Sequence, residues 1–260
     1  MSSSTEWLYG VSQWLIFPVS VALLLASAWF GRWRGRRAAA HGREDQAGAI
    51  GALQGTALGL VTLMISFTFS VAVNHYDARK AYVLEEALAL STVQNRAEML
   101  PQPYASTIGG ILDDYLKVRL TVDEIGPGAQ RQIAARSLEL QRRLWDQTVA
   151  IGALDSRSIP NGLFIQAVND LDDMVEKRLT AERSHVPEAI FLLLYALAGV
   201  ALGLNGYKAG LGGGRPATAA IVTSLLLAAV ILQIQDLDRP RRGLITVGQQ
   251  AMQNLSGDVK

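Results

Sequence analysis

The sequence contains no cysteine, which excludes disulfides, thiolate metal sites and a cysteine nucleophile, and leaves the redox compartment open. Neither sign of charge is in excess. The 24 Lys and Arg against 23 Asp and Glu give a formal charge of +1, which excludes a polybasic nucleic-acid binder and an acidic disordered tail. Histidine is scarce, and His41, His75 and His185 stand in no zinc-ligand spacing. A glycine-rich phosphate loop, a nucleophile elbow, a dinucleotide fingerprint and an alternating strand pattern are all missing. The residues offer no catalytic constellation, so no enzyme is expected, and no metal or cofactor.

Apolar residues are abundant and concentrated, in one block before His75 and another after Pro187, a membrane distribution. A helix needs about 20 apolar residues to cross a hydrocarbon core of about 30 Å, because every backbone amide must be bonded within the segment. Four segments qualify. Trp14 to Trp29 lies between the interfacial residues Trp7 and Tyr9 on one side and Arg32 and Trp33 on the other, with Pro18 a candidate kink. Ala47 to Val73 carries no charge and is long enough to span while tilted. Ala189 to Leu204 starts after Pro187, a residue suited to a first helical turn. Ala217 to Ile234 follows "NGYKAGLGGGRP", read as a turn for its glycines. The opening "MSSSTEW" lacks the basic region of a secretory signal, so the first span is expected to be an uncleaved anchor.

Residues 75–187 are polar and divided by "PQP" at 101–103, "GPG" at 126–128 and "DSRSIPNG" at 155–162. Helices are expected at Tyr76 to Leu100, continuous with the second span, and near 104–124, 129–153 and 163–185, where apolar residues recur at helical spacing. The expected fold is all-α: four transmembrane helices with an all-helical extramembrane domain between the second and third. Its parts are 1–74, two spans and a basic loop; 75–187, the helical domain; 188–235, a transmembrane hairpin; and 236–260, a tail. Arg32, Arg34, Arg36, Arg37 and Arg43 in the first hairpin loop, with Lys208 and Arg215 in the second, favour cytoplasmic loops and an external helical domain.

Three groups of residues stand out. Gly51, Gly55, Gly59, Thr62, Ser66 and Ser70 share one face of the second span, suited to helix packing, a subunit interface or a hydroxyl-lined pore wall. Gly199 and Gly203 repeat the small-residue spacing in the third span and suit packing. Leu63, Phe67 and Val71 form a separate stripe, which suits lipid or core and, if about five copies surrounded an axis, would be an apolar constriction. Helix parity brings "YDARK" and "DLDRPRRG" to the same membrane face, so Asp77, Arg79, Asp236, Asp238 and Arg239 form a candidate charge cluster. Glu85 and Glu86 are adjacent, point in different directions on a helix and make no acid/base dyad alone. The run "NDLDDMVEKR" lacks the oxygen pattern of a calcium loop and reads as a solvated face.

The stretches "FTFSVAVNHYDARKAYVLEEA", "NRAEMLPQPY" and "QDLDRPRRGLITV" resemble a bacterial family labelled bestrophin-like, over about Gly51 to Leu255. One departure is Leu88, where that family usually has Asn. A more remote likeness to true bestrophins, pentameric anion channels with cytosolic helical domains, rests on "ISFTFSVAV" and on the acidic-Pro segment after the last span. It implies neck residues at Leu63, Phe67 and Val71. Asp236, Asp238 and Pro240 would match loosely the region where calcium controls the eukaryotic channels. It also implies a cytoplasmic helical domain, against the arginine argument, which rests on this sequence itself and is preferred. The expectation is an oligomeric, bestrophin-like ion channel or permeation pathway in the bacterial inner membrane. The partners are the lipid bilayer, further copies of the chain (five by resemblance) and ions, and no nucleic acid. The alternative is a non-conducting scaffold or sensor whose helical domain binds a protein.

Overall fold

A computed structural model describes residues 12–121, 130–212, 217–239 and 245–258. Among them the regular elements are helices: α1 (Gln13–Ala39), a 3-10 turn (Glu44–Gln46), α2 (Ala47–Ala97), α3 (Tyr104–Thr121), α4 (Gln130–Leu154), α5 (Ile159–Arg183), α6 (Glu188–Leu211), α7 (Ala217–Leu237) and α8 (Gln250–Asp258). Four regions are long and apolar enough to cross a membrane, in α1, α2, α6 and α7, so the chain is a multi-pass membrane protein. The expected breaker "GPG", the interfacial Trp7 and Tyr9, and Pro240 lie outside the described residues.

The chain divides into two units, one running to Tyr76 and resuming at His185–Thr246, the other Asp77–Ser184 with the segment from Val247. In the first unit α1 packs most extensively against α6. Ser20, Leu24, Ala28, Gly31 and Gly35 form the buried stripe of α1, and Ala198, Ala201, Leu202, Gly206 and Gly210 the facing stripe of α6. The backbones touch because glycines leave room. A Cβ added at Gly31 would overlap the Gly203 carbonyl, one at Gly35 the Tyr207 carbonyl, and one at Gly206 the Ala28 carbonyl. Ser27 Oγ donates to the Gly199 carbonyl at 2.6 Å, and Ser20 Oγ and Tyr195 Oη are 2.7 Å apart. Dispersion and such hydrogen bonds drive association between helices when lipid is as apolar as the side chains.

This packing corrects the turn expected over "NGYKAGLGGGRP". Its first seven residues, Asn205 to Leu211, continue α6. Glycine is a poor helix former by about 1 kcal/mol in isolation, but here Gly206 and Gly210 let α6 reach α1, and the contact outweighs the propensity.

In the second unit the remainder of α2 packs with α3, α4, α5 and α8 around Leu90, Ile108, Leu112, Leu140, Phe164 and Met252. Helix α5 starts at Ile159, four residues before its expected start. Ser158 accepts a hydrogen bond from the Asn161 amide at 3.4 Å and Pro160 sits in the first turn, the residue types that begin helices. Helix α8, at the end of what reads as a tail, inserts Met252 into this core with Ala251 and Leu255 beside it.

Candidate functional site

Helix α2 buries one stripe along its length: Ala57, Val61, Thr68, Ala72, Arg79, Val83, Glu86 and Leu90, the three- and four-residue steps of a helix with one inward face. In its uncharged half the opposite face holds Gly55, Gly59, Thr62, Ser66 and Ser70, all exposed. A Cβ built on Gly55 or Gly59 meets nothing within 4 Å, and one on Gly51 meets only the end of the Lys208 side chain. The hydroxyls of Thr62 and Ser66 donate to their own helix, to the Leu58 and Thr62 carbonyls at 2.9 Å. They are therefore satisfied without water. Leu63, Phe67 and Val71, on the flank between the two faces, are also exposed, Phe67 by 62%. The described helices cover neither group, and the tight glycine packing among them lies between α1 and α6 instead.

At the end of this span His75 meets the end of α7. Asp238 is fully buried; one carboxylate oxygen is 2.9 Å from His75 Nδ1 and the other accepts from the Val186 amide at 2.7 Å. Its carbonyl lies 3.1 Å from His185 Nδ1. The carboxylate thus sits just before the N-terminus of α6, where the helix dipole favours negative charge. Asp236 accepts from the Ile245 amide at 3.0 Å, and Arg239 is buried. The histidines, read from sequence only as failing a zinc pattern, are where the sequence reading missed a site. Two of the three converge on Asp238, His75 at its carboxylate and His185 at its backbone carbonyl.

In the second unit Asp77 is exposed and Arg79 buried. The Arg79 guanidinium donates to the carbonyls of Ala181 at 3.1 Å and Ser184 at 2.6 Å, so it serves carbonyls at the C-terminal end of α5, where helix carbonyls run short of backbone donors. Two turns further along α2, and 13 residues beyond the apolar run that ends at Val73, Glu86 is fully buried. It accepts from Tyr115 Oη, Arg119 and Arg178, each at 2.7 Å. Burial alone would raise its pKa, but the two guanidiniums prevail and hold it below the usual carboxylate range. Burial raises the Tyr115 phenol, which stays a donor. Glu85 is exposed. A signal for this cluster was present in the sequence: Arg119 falls in phase with Ile108, Ile111, Leu112 and Tyr115, and Arg178 with Phe164, Leu171 and Val175, so both arginines lie on apolar stripes.

Of the acidic run, Asp170, Asp173 and Glu176 are exposed, while partial burial and then the neighbouring Asp173 raise the Asp172 pKa. Among the described residues no group of three or more metal-ligating side chains converges.

Neither a search of curated proteins nor one of solved structures found a match. A family model does match: the Bestrophin-like domain aligns with residues 19–252, which take in all but the start of the first of the four candidate spans. By that match the chain belongs to the Bestrophin-like family, as a multi-pass membrane protein.

Proposed function

We propose that this protein is an oligomeric ion channel or permeation pathway of the bacterial inner membrane, with α2 lining the path and the unit beyond Asp77 forming an extramembrane helical domain. The observation that carries the reading is the uncovered surface of α2. An uncharged span exposes a small, self-satisfied face (Gly55, Gly59, Thr62, Ser66, Ser70) beside an apolar stripe (Leu63, Phe67, Val71). In a ring of copies, five by resemblance, the small face lets the neighbouring copy approach and the stripe points at the axis, where it can gate by dewetting. Exposed Leu138, Trp145 and Val149, on one side of α4, add apolar surface that an assembly would cover.

The cysteine-free sequence makes the test direct. Single cysteines at 63, 67 and 71 should react with a water-soluble thiol reagent and lose most of the ion flux through liposomes. Cysteines at Gly55 and Gly59, packed against a neighbour, should react slowly. Block from 62, 66 and 70 with none from 63, 67 and 71 would remove the named constriction.

The second reading, a scaffold or sensor, rests on the same α4 stripe as a docking face for another protein. The open space above Gly55 and Gly59 favours the first reading, because small residues let a further copy approach closely.

A further inference from the structure

Helix α2 runs unbroken from Ala47 to Ala97, and about 18 residues make five turns of an α-helix. Residues separated by that interval share a face. By that relation Asp77 is in phase with Gly59 and Lys80 with Thr62, on the small face, while Glu85 is in phase with Phe67, on the apolar stripe. Asn74, Ala78 and Ala81 occupy the turns of the stripe between Val71 and Glu85 and carry no charge. Glu85 is thus the first ionisable side chain that the stripe meets.

The ionisable residues around it are engaged elsewhere. His75 lies against Asp238, Arg79 donates to carbonyls at the end of α5, and Glu86 is buried between Arg119 and Arg178. Glu85 is exposed and makes no hydrogen bond or ion pair among the described residues. One further charge falls on the stripe, Arg96, about three turns beyond. Its guanidinium donates to the Leu163 carbonyl at 2.5 Å, which ties it to α5. Of the two charges, the carboxylate is the unpartnered one and the nearer to Phe67.

We propose that, given a path lined by α2, the Glu85 carboxylates of the assembled copies form a ring that admits small inorganic cations in preference to anions. Rings of Asp or Glu side chains select cations in this way, by holding fixed negative charge beside the permeating ion.

Purified full-length protein in planar bilayers under a potassium chloride gradient tests the ring through the reversal potential. The wild type should reverse toward the potassium equilibrium potential. Glu85→Gln should lower the potassium-to-chloride permeability ratio several-fold and leave the melting temperature unchanged, unlike the change at the buried Glu86. Glu85→Asp should keep the preference, and Glu85→Lys should reverse it. Rising salt should weaken it, because an exposed carboxylate is screened. Asp77→Asn and Arg96→Gln should leave the ratio close to that of the wild type. Wild-type currents that prefer chloride, a ratio unmoved by Glu85→Gln, or a larger change from Arg96→Gln than from Glu85→Gln would each overturn the ring while leaving conduction intact. Silent bilayers that hold folded oligomer would instead remove the path itself, and the ring with it.

Discussion

Glu86→Gln should destabilise the helical unit by about 3–5 kcal/mol, the cost of leaving a buried charge without its partner. The amide is almost the same size, so packing around it is kept. What changes is charge: Arg119 and Arg178, both buried, lose the carboxylate they share. Adding Arg119→Leu should recover part of the loss, because it removes one stranded cation and leaves Arg178 with Glu182 at 3.4 Å. Thermal melting in detergent, followed by helical signal, measures both. The pH dependence has a defined sign. The folded pKa of Glu86 lies below the ordinary value for a glutamate, so its contribution is complete above that value and is lost as pH falls through the depressed folded pKa. Wild type should lose stability on acidification below about pH 4.5 more steeply than Glu86→Gln. Equal acid sensitivity, or a Glu86→Gln variant as stable as wild type at pH 7, would remove the shared-carboxylate account.

The second large effect belongs to the α1–α6 crossing. Gly206→Val should cost about 3 kcal/mol or more, above the usual 1–3 kcal/mol of overpacking. Its Cβ meets the Ala28 backbone, which cannot rotate away as a side chain can. Gly55→Val makes the same change where nothing lies within 4 Å in the chain. It should leave the fold intact and instead alter assembly size in size-exclusion chromatography. Comparable melting losses in the two variants would mean that the close approach of α1 and α6 is wrong. A Gly55→Val protein of unchanged assembly size would separate its face from any subunit contact.

These two sites differ in how far the sequence disclosed them. The spans and the unbroken α2 were legible because apolar length and helical period are local properties. The glycines of α6 were misread because glycine breaks an isolated helix, and nothing local reports that Gly31 and Gly35 lie opposite. Glu86 was harder still, since its partners are 33 and 92 residues away and only the odd placement of two arginines on apolar stripes hinted at them. Parity of the spans put "YDARK" and Asp238 on one membrane face, but His75, which meets the Asp238 carboxylate, was outside that candidate cluster, and the pairing needed the fold. Spacing alone groups the residues of α2 into faces. Which of them the chain covers depends on its rotation against α1, α6 and α7, and that is a tertiary property.

The most direct measurement is ion flux through liposomes containing the purified, folded oligomer, with both an anion and a cation as the reported ion. Flux well above that of empty liposomes, changed several-fold by Phe67→Ala, is the predicted result. Electrically silent liposomes that hold well-folded oligomer would contradict it.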